Sequence, residues 1–281
     1  MSIIFKYMVK DKDNCDSLKV QRVKIDEEKL NELEHGVWKF PSSHALIGHI
    51  ASGKSTLLHN LLTRFWKPVF GNRIILFSPT AISDPIISTM IDNEELFCHF
   101  LEYSNDTLRN VLEILEDDET PDDKWLIVFD DCLDSIPRSG TRESRFFNKF
   151  FANHRHAVRE GKISLVFALQ KWSGLNSVIR TNLAYVYLMG KSSESELKKM
   201  SEEMNCLSGS DSKKFIEIYE KVKQDSPYNF MCCDYKKLRI LKNFDELMFD
   251  ALTNTDYSDT NQDVDCESDD KGSDDDDDKK K

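Results

Sequence analysis

The segment Gly48–Ser55 has the pattern G-x-x-x-x-G-K-[ST], which is typical of loops that bind nucleotide phosphates. An apolar stretch precedes it and a leucine-rich helical pattern follows it. The glycines let backbone N–H groups wrap around phosphate oxygens, and the start of the following helix adds a favourable dipole. Lys54 is expected to contact the β- and γ-phosphates, and Ser55 to bind Mg²⁺. The predicted nucleotide-binding residues are Gly48, His49, Ile50, Ala51, Ser52, Gly53, Lys54, Ser55 and Thr56.

Two aspartates, Asp130 and Asp131, directly follow the apolar run Leu126–Phe129. In an open α/β sheet, ligands bind at the carboxyl ends of the strands. Asp130 is therefore expected to hold Mg²⁺, mostly through water, and Asp131 to act as the base that activates the attacking water. The alternatives are an acidic turn after a strand and a glycine turn before an ordinary helix. The phosphate-loop pattern disfavours a mere acidic turn at Asp130 and Asp131, and the aspartate pair disfavours a mere glycine turn at Gly48–Ser55.

A glutamine, Gln170, closes the apolar run that starts at Ile163. Its side chain could orient water beside the γ-phosphate, or it could only cap the strand. A further strand candidate, Arg73–Ser78, lies between the two motifs, as in NTPases with an extra strand between the nucleotide-binding strands. GTPases are disfavoured because the sequence has no N-K-x-D motif, and nucleotide kinases because no arginine-rich lid is evident.

Strand-like apolar runs alternate with amphipathic helical patterns along the chain. The runs are His44–Gly48, Arg73–Ser78, Leu96–Leu101, Trp125–Asp130, Ile163–Gln170 and Ala184–Met189. Several are continuously apolar, which indicates strands buried on both faces of a parallel sheet. The helical patterns and the closing hairpin are at 57–65, 146–151, 193–204 with a capping box, 215–222, and 228–234 with 238–241. This alternation predicts a three-layer α/β fold with a mainly parallel central sheet.

Composition divides the chain into three parts. Residues 1–39 form an N-terminal segment with a strand candidate at 3–9 and a helix candidate at 26–34, and 40–252 form the ATPase domain. Residues 253–281 form an acidic tail that is expected to be disordered, since it has few apolar residues. From Asn254 onward it has twelve Asp or Glu and four Lys, a net charge of −8 out of −12, so the rest carries only −4. Its end also resembles a protease-cleavable tag.

The seven cysteines lack disulfide-framework or zinc-site spacing, which favours reduced thiols in a cytoplasm-like compartment. No apolar run is long enough for a membrane span, and no signal peptide is evident. The mild acidity outside the tail does not indicate nucleic-acid binding, so any DNA contact is expected from a local basic patch.

Between Phe40 and Asn243 the sequence resembles the poxvirus-type DNA-packaging ATPases of large DNA viruses and virophages, within the FtsK/HerA class of DNA motors. The segments that carry the resemblance are Ile47–Thr56, Ile74–Thr80, Leu126–Asp131, Asn153–His156 and Ile163–Gln170. It implies a RecA-like P-loop NTPase that uses ATP and Mg²⁺ to move double-stranded DNA into a preformed capsid. It further implies sequence-independent DNA contacts, capsid or vertex proteins as partners, a homo-oligomeric ring, and a location in the virion or host cytoplasm.

The resemblance also implies an arginine that acts on the nucleotide of a neighbouring subunit. Arg155 and Arg159 are the candidates, with Arg180 as a third, and all three are expected near the catalytic edge because they flank the strand ending at Gln170. The chain departs from the family pattern at His154, where a glycine is common, and in a longer spacing from Arg155 to the glutamine.

Two other functions remain open. One is a P-loop nucleotide or nucleoside kinase. The other is a nucleotide-gated assembly factor without turnover, which Asp131 and Gln170 disfavour.

Overall fold

The computed structural model of the protein describes residues 38–116, 124–132, 135–136, 140–158 and 162–258. The strand expected at 3–9, the helix expected at 26–34, and Arg159 lie outside these residues. Within them, no helix is long and apolar enough to cross a membrane.

One ten-stranded sheet organises the described chain. Its strands are β1 (Ser43–Ile47), β2 (Ile74–Phe77), β3 (Cys98–Phe100), β4 (Lys124–Asp130), β5 (Lys162–Leu169), β6 (Tyr185–Met189), β7 (Phe230–Asp234), β8 (Arg239–Lys242), β9 (Glu246–Asp250) and β10 (Thr255–Asp256). The spatial order is β10-β9-β8-β7-β6-β1-β5-β4-β2-β3. The pairs from β6 through β1, β5, β4 and β2 to β3 are parallel, and those from β6 to β10 are antiparallel. The predicted mainly parallel α/β sheet is confirmed.

The central strands are buried on both faces, as their unbroken apolar runs predict. Every residue of β1, β2 and β6 is buried, including the polar His44. Alternate residues of one strand enter opposite layers: Ala45 and Ile47 join one core cluster and Leu46 the other. Each of the six apolar runs expected in the described residues forms a strand, with ends shifted by at most two residues.

Helices cover both faces of the sheet. They are α1 (Lys54–Asn60), α2 (Lys67–Phe70), α3 (Pro85–Asp92), α4 (Asn105–Glu116), α5 (Arg142–Asn153), α6 (Ser177–Arg180), α7 (Glu194–Glu203) and α8 (Ser212–Gln224). A π-helical turn, Leu61–Phe65, extends α1. Apolar residues of α4, α5 and α8 enter one core cluster, and those of α1 and α3 enter the other. The result is the expected three-layer arrangement.

The structured region is longer at both ends than composition suggests. Trp38 is buried, and its indole Nε1 donates to the hydroxyl of Tyr187 at 2.8 Å. The sequence patterns did not predict β9 and β10, which add two antiparallel strands beyond β8. The first residues of the expected tail thus belong to the sheet, and the tail from residue 259 lies outside the described residues.

The parallel register brings the carboxyl ends of six strands to one edge of the sheet, here called the catalytic edge. Ile47 at the end of β1 pairs with Leu169 of β5 and Leu188 of β6, and Asp130 at the end of β4 pairs with Ala168. The chain segments that follow β1, β4, β5 and β6 therefore lie side by side.

Candidate nucleotide site

The loop after β1 has the tight geometry that phosphate binding needs. The N–H of Gly48 donates to the carbonyl of Leu169 at 3.0 Å, which ties the loop to β5. A Cβ at Gly48 would lie 2.5 Å from Ser52 Oγ and 2.9 Å from Met189 Cβ, so no larger residue fits. Gly53 has φ +89°, in the left-handed region that favours glycine. It precedes α1 without a side-chain cap, so the N–H groups of the first turn remain suited to an anion.

Lys54 folds back over this loop. Its Nζ donates to the carbonyls of Gly48 at 2.7 Å and His49 at 3.3 Å. Burial lowers the pKa of Lys54, while the negative charges of Asp131 and Asp130 act in the opposite direction. Phosphate oxygens are stronger acceptors for an ammonium group than neutral carbonyls are. The lysine is thus held where exchange of these two weak acceptors for phosphate is favourable.

The hydroxyl of Ser52 supports the same interpretation. Its Oγ is buried and has no hydrogen-bond partner. Such groups are uncommon in native proteins and call for an explanation. A phosphate oxygen bound in the loop would supply an acceptor for this hydroxyl.

Asp84 contacts Ser55, and its charge and that of Asp131 act on Asp130. Ser55 Oγ donates to Oδ2 of Asp84 at 2.9 Å, and Ser78 Oγ donates to Oδ2 of Asp130 at 2.9 Å. Burial, and to a lesser extent the charges of Asp131 and Asp84, raise the pKa of Asp130 from 3.8 to about 6, against the hydrogen bond from Ser78 and the charge of Lys54. This concentration of negative charge suits a divalent cation.

Mg²⁺ fits this donor set as an ion shared between protein and phosphates. The described residues contain no cluster of three or more His, Cys, Asp or Glu side chains that could hold a metal by themselves. Mg²⁺ commonly takes one or two protein oxygens and completes its shell with water and substrate phosphates. The hydroxyl of Ser55 and the carboxylate of Asp130 are such oxygens.

Asp131 and Gln170 directly follow two neighbouring strands, β4 and β5, at the catalytic edge. Asp131 adopts φ +48°, uncommon for a residue other than glycine, and its N–H donates to the carbonyl of Ala168 at 3.0 Å. Its side chain is half-buried, and that of Gln170, directly after β5, is exposed. Strained backbone of this kind is frequent at functional sites. Both predicted hydrolytic residues are thus placed where a phosphate in the loop could be approached.

The sequence patterns missed Asp84 and Ser78. Asp84 caps α3, because its Oδ1 accepts from the N–H groups of Ile86 and Ile87. An aspartate followed by proline is a recognisable signal for a helix start. That signal locates the helix, but it does not reveal that the other carboxylate oxygen meets Ser55.

Arg155 lies far from the phosphate loop of its own subunit. Arg155 lies in a 3₁₀ turn before β5, about 26 Å of strand from Gln170. The expectation that it lies near the catalytic edge is therefore wrong. Burial, and then the charges of Arg155 and Lys39, lower the pKa of Lys236, so these three cations lie close together at the opposite edge.

Arg180 is engaged in a structural contact. Its Nε and one terminal nitrogen donate to the two carboxylate oxygens of Glu203 at 2.8 and 3.1 Å, and its other terminal nitrogen donates to the carbonyl of Leu175. Its side chain is only 13% exposed. A bidentate pair of this kind fixes the guanidinium in place.

Comparison with known proteins agrees with this geometry. A family model described as Poxvirus A32 protein matches residues 33–234. The fold is similar to that of the genome packaging NTPase B204 from Sulfolobus turreted icosahedral virus 2 in complex with AMPPCP, with 15% identity and a TM-score of 0.52. It is also similar to B204, the DNA-packaging ATPase from Sulfolobus turreted icosahedral virus, with 16% identity and a TM-score of 0.53.

Each alignment covers 72% of this chain and 96% of the other. At this identity the likeness concerns the fold alone. No curated protein sequence matches the chain. The family match extends over most of the chain and includes the phosphate loop, Asp130, Asp131 and Gln170. The chain therefore belongs to the poxvirus A32 protein family of packaging ATPases.

Proposed function

We propose that this protein is an ATP-driven motor that moves double-stranded viral DNA into a preformed capsid. The observation that carries the proposal is the meeting of Lys54, Ser55, Asp130 and Asp131 at one sheet edge in a member of the poxvirus A32 family. This edge provides a phosphate loop and an acidic pair, which ATP hydrolysis requires. The proposed cofactors are ATP and Mg²⁺.

Ser55 and Asp130 would hold Mg²⁺, with Asp84 orienting the serine. When bound, the ion neutralises charge on the β- and γ-phosphates. The hydroxyl of Ser55 can offer its oxygen to the ion while its proton remains directed at Asp84. A nearby cation favours the ionised form of a carboxylate, so the raised pKa of Asp130 would fall on binding.

The remaining residues supply positioning and proton transfer. Lys54 would leave the loop carbonyls and bind the β- and γ-phosphates. Asp131 would accept the proton of the attacking water, because its carboxylate lies next to the metal-binding aspartate at the carboxyl end of β4. Gln170, one position beyond β5, would orient that water.

The position of Arg155 supports the proposal of a ring. Charge spreads over the γ-phosphoryl oxygens during transfer, and a second cation can contribute about 10³- to 10⁵-fold in rate. Arg155 is exposed at the edge opposite the nucleotide, beside Lys39 and Lys236. It cannot reach its own site from there, but in a ring it could face the site of the next subunit. Arg159 remains the second candidate.

The DNA contacts would be made to phosphates and would be independent of sequence. Capsid or vertex proteins are the proposed assembly partners, and the virion or the host cytoplasm the proposed location. An ATPase domain at 40–252 is proposed, onto which Trp38 and β10 also pack, and the remaining residues on either side are proposed as flanking arms.

The primary test is ATP turnover with and without linear duplex DNA. DNA should stimulate phosphate release by the parent protein, and Lys54→Ala should abolish it because the main cation on the phosphates is lost. Lys198→Ala, which removes an exposed lysine on α7, should keep parental turnover. Transfer of phosphate to a nucleoside would identify a kinase instead, and ATP binding without turnover would identify an assembly factor.

The ring model is tested by mixing two inactive variants. Lys54→Ala subunits and Arg155→Ala subunits should each be inactive alone, whereas mixed rings contain some intact sites that face an intact arginine. Activity should therefore reappear on mixing. If Arg155→Ala is fully active, the experiment moves to Arg159→Ala. If mixed rings form and neither arginine variant restores activity, the model of an arginine supplied by the neighbour is wrong.

A further inference from the structure

Tyr228 lies beside the phosphate loop although it is remote from it in sequence. It belongs to the turn between α8 and β7, and β7 runs antiparallel to β6, with Phe230 opposite Met189. The turn therefore reaches the same edge as the end of β6. A Cβ at Gly53 would lie 3.8 Å from Cδ1 of Tyr228, which is van der Waals contact.

The ring of Tyr228 is exposed while the backbone of its turn is anchored. Its relative exposure is 70%, the largest of any aromatic residue in the described chain. Lys223 Nζ donates to the carbonyl of Asn229, and the N–H of Tyr228 donates to Ser226 Oγ at 3.3 Å. The side chain of Asn243 holds both Asn229 and the N–H of Phe230. An exposed ring on a fixed turn is preorganised for stacking.

The direction in which a nucleotide would lie in the site decides which of its parts would reach the ring of Tyr228. Asp131 and Gln170 follow β4 and β5, on one side of β1, and β6 and β7 lie on the other. A triphosphate in the loop turns its γ-phosphate toward Asp131 and Gln170. Its nucleoside end must then leave on the β6–β7 side, past Gly53 and toward Tyr228.

We propose that Tyr228 is the platform on which the nucleobase of the bound nucleotide stacks. The inference rests on the proposed ATPase function and extends it from the phosphates, to which the roles of the motifs at β1, β4 and β5 refer, to the base. An aromatic face recognises a base without reading its hydrogen-bonding edge. The ring therefore contributes affinity and leaves base identity to other groups.

The test compares two ligands that differ only in the nucleoside. Binding of ATP, supplied as a non-hydrolysable analogue so that turnover adds no heat, and of the matching non-hydrolysable triphosphate, each with Mg²⁺, is measured by calorimetry for the parent, Tyr228→Ala and Tyr228→Phe. Loss of stacking should weaken ATP binding by about 5- to 150-fold in Tyr228→Ala. Triphosphate affinity should stay unchanged, and Tyr228→Phe should bind both ligands as the parent does.

Two controls separate this proposal from the proposed function. Tyr257→Ala removes another exposed tyrosine, after β10 and far from β1 in the sheet order, and should change neither affinity. Lys54→Ala should weaken both ligands. If Lys54→Ala loses both ligands but Tyr228→Ala binds ATP like the parent, the stacking proposal fails and the ATPase assignment stands. Equal loss of ATP and triphosphate in Tyr228→Ala would also overturn it, since the ring would then support the loop rather than the base.

Discussion

Replacing Asp130 by asparagine is expected to stabilise the metal-free protein while disabling it. Asp130 is 5% exposed, and burial, with added repulsion from Asp131 and Asp84, raises its pKa from 3.8 to about 6. Because the pKa of this carboxyl is higher in the folded state than in the unfolded state, its contribution to the free energy of unfolding is fully present only below pH 3.8. That contribution is lost as the pH rises through about 6.

The size of the effect follows from the pKa. At about 1.36 kcal/mol per unit of pKa shift, the rise in the pKa of Asp130 from 3.8 to about 6 corresponds to about 3 kcal/mol of lost stability at neutral pH. Asparagine is similar in size and keeps an oxygen that can accept from Ser78, but it carries no charge. Asp130→Asn should therefore raise the free energy of unfolding at pH 7.5 by up to about 3 kcal/mol. For a domain of this size, each kcal/mol raises Tm by about 2–4 °C.

The assay is thermal unfolding of parent and variant between pH 4.5 and 8, with a chelator present. The stability advantage of Asp130→Asn should grow as the pH rises from 4.5 to about 6 and level off above it. With Mg²⁺ and a non-hydrolysable ATP analogue, the parent should gain stability and the variant much less. Asp92→Asn, an exposed charge removal at the end of α3, should stay within about 0.5 kcal/mol of the parent. A variant less stable than the parent at pH 7.5 without metal, or a pH-independent difference, would refute the reasoning.

Four further predictions test the remaining residues. Asp131→Asn should bind ATP but hydrolyse it at least about 10²-fold more slowly in single-turnover assays, and a parental rate would place the base elsewhere. Asp84→Ala should cost about 1 kcal/mol in denaturant unfolding through loss of its helix cap and weaken Mg²⁺-dependent ATP binding; unchanged binding would make it only a cap. Arg180→Ala should destabilise by about 1–3 kcal/mol because Glu203 loses its cation and keeps only the hydrogen bond from Trp172 Nε1, with turnover per folded molecule retained. Lost turnover at parental stability would instead make Arg180 catalytic. Removing residues 259–281 should leave ATPase activity intact and tighten DNA binding at low salt, because most of the negative charge is lost; loss of folding would contradict this.

Local pattern was sufficient to predict the phosphate loop and most of the sheet. The loop is one contiguous segment, Gly48–Ser55, so the spacing of its glycines and lysine along the sequence is enough to recognise it. The buried strands were predictable because a strand covered on both faces must be apolar at nearly every position. β9 and β10 were missed because β9 is only partly buried and β10 has two residues, so neither has a distinctive pattern.

Which side chains contact each other could be determined only from the tertiary structure. Asp84 meets Ser55, and Tyr228 meets Gly53, only because the strand order places segments distant in sequence side by side at one edge. Arg155 precedes a strand whose other end is catalytic, and the parallel direction of that strand puts the arginine at the opposite edge. Strand order and direction are set by how helices pack over the whole sheet, which no local spacing encodes. The sequence by itself therefore determined which chemistry the chain carries, and the fold decided which residues can take part in it.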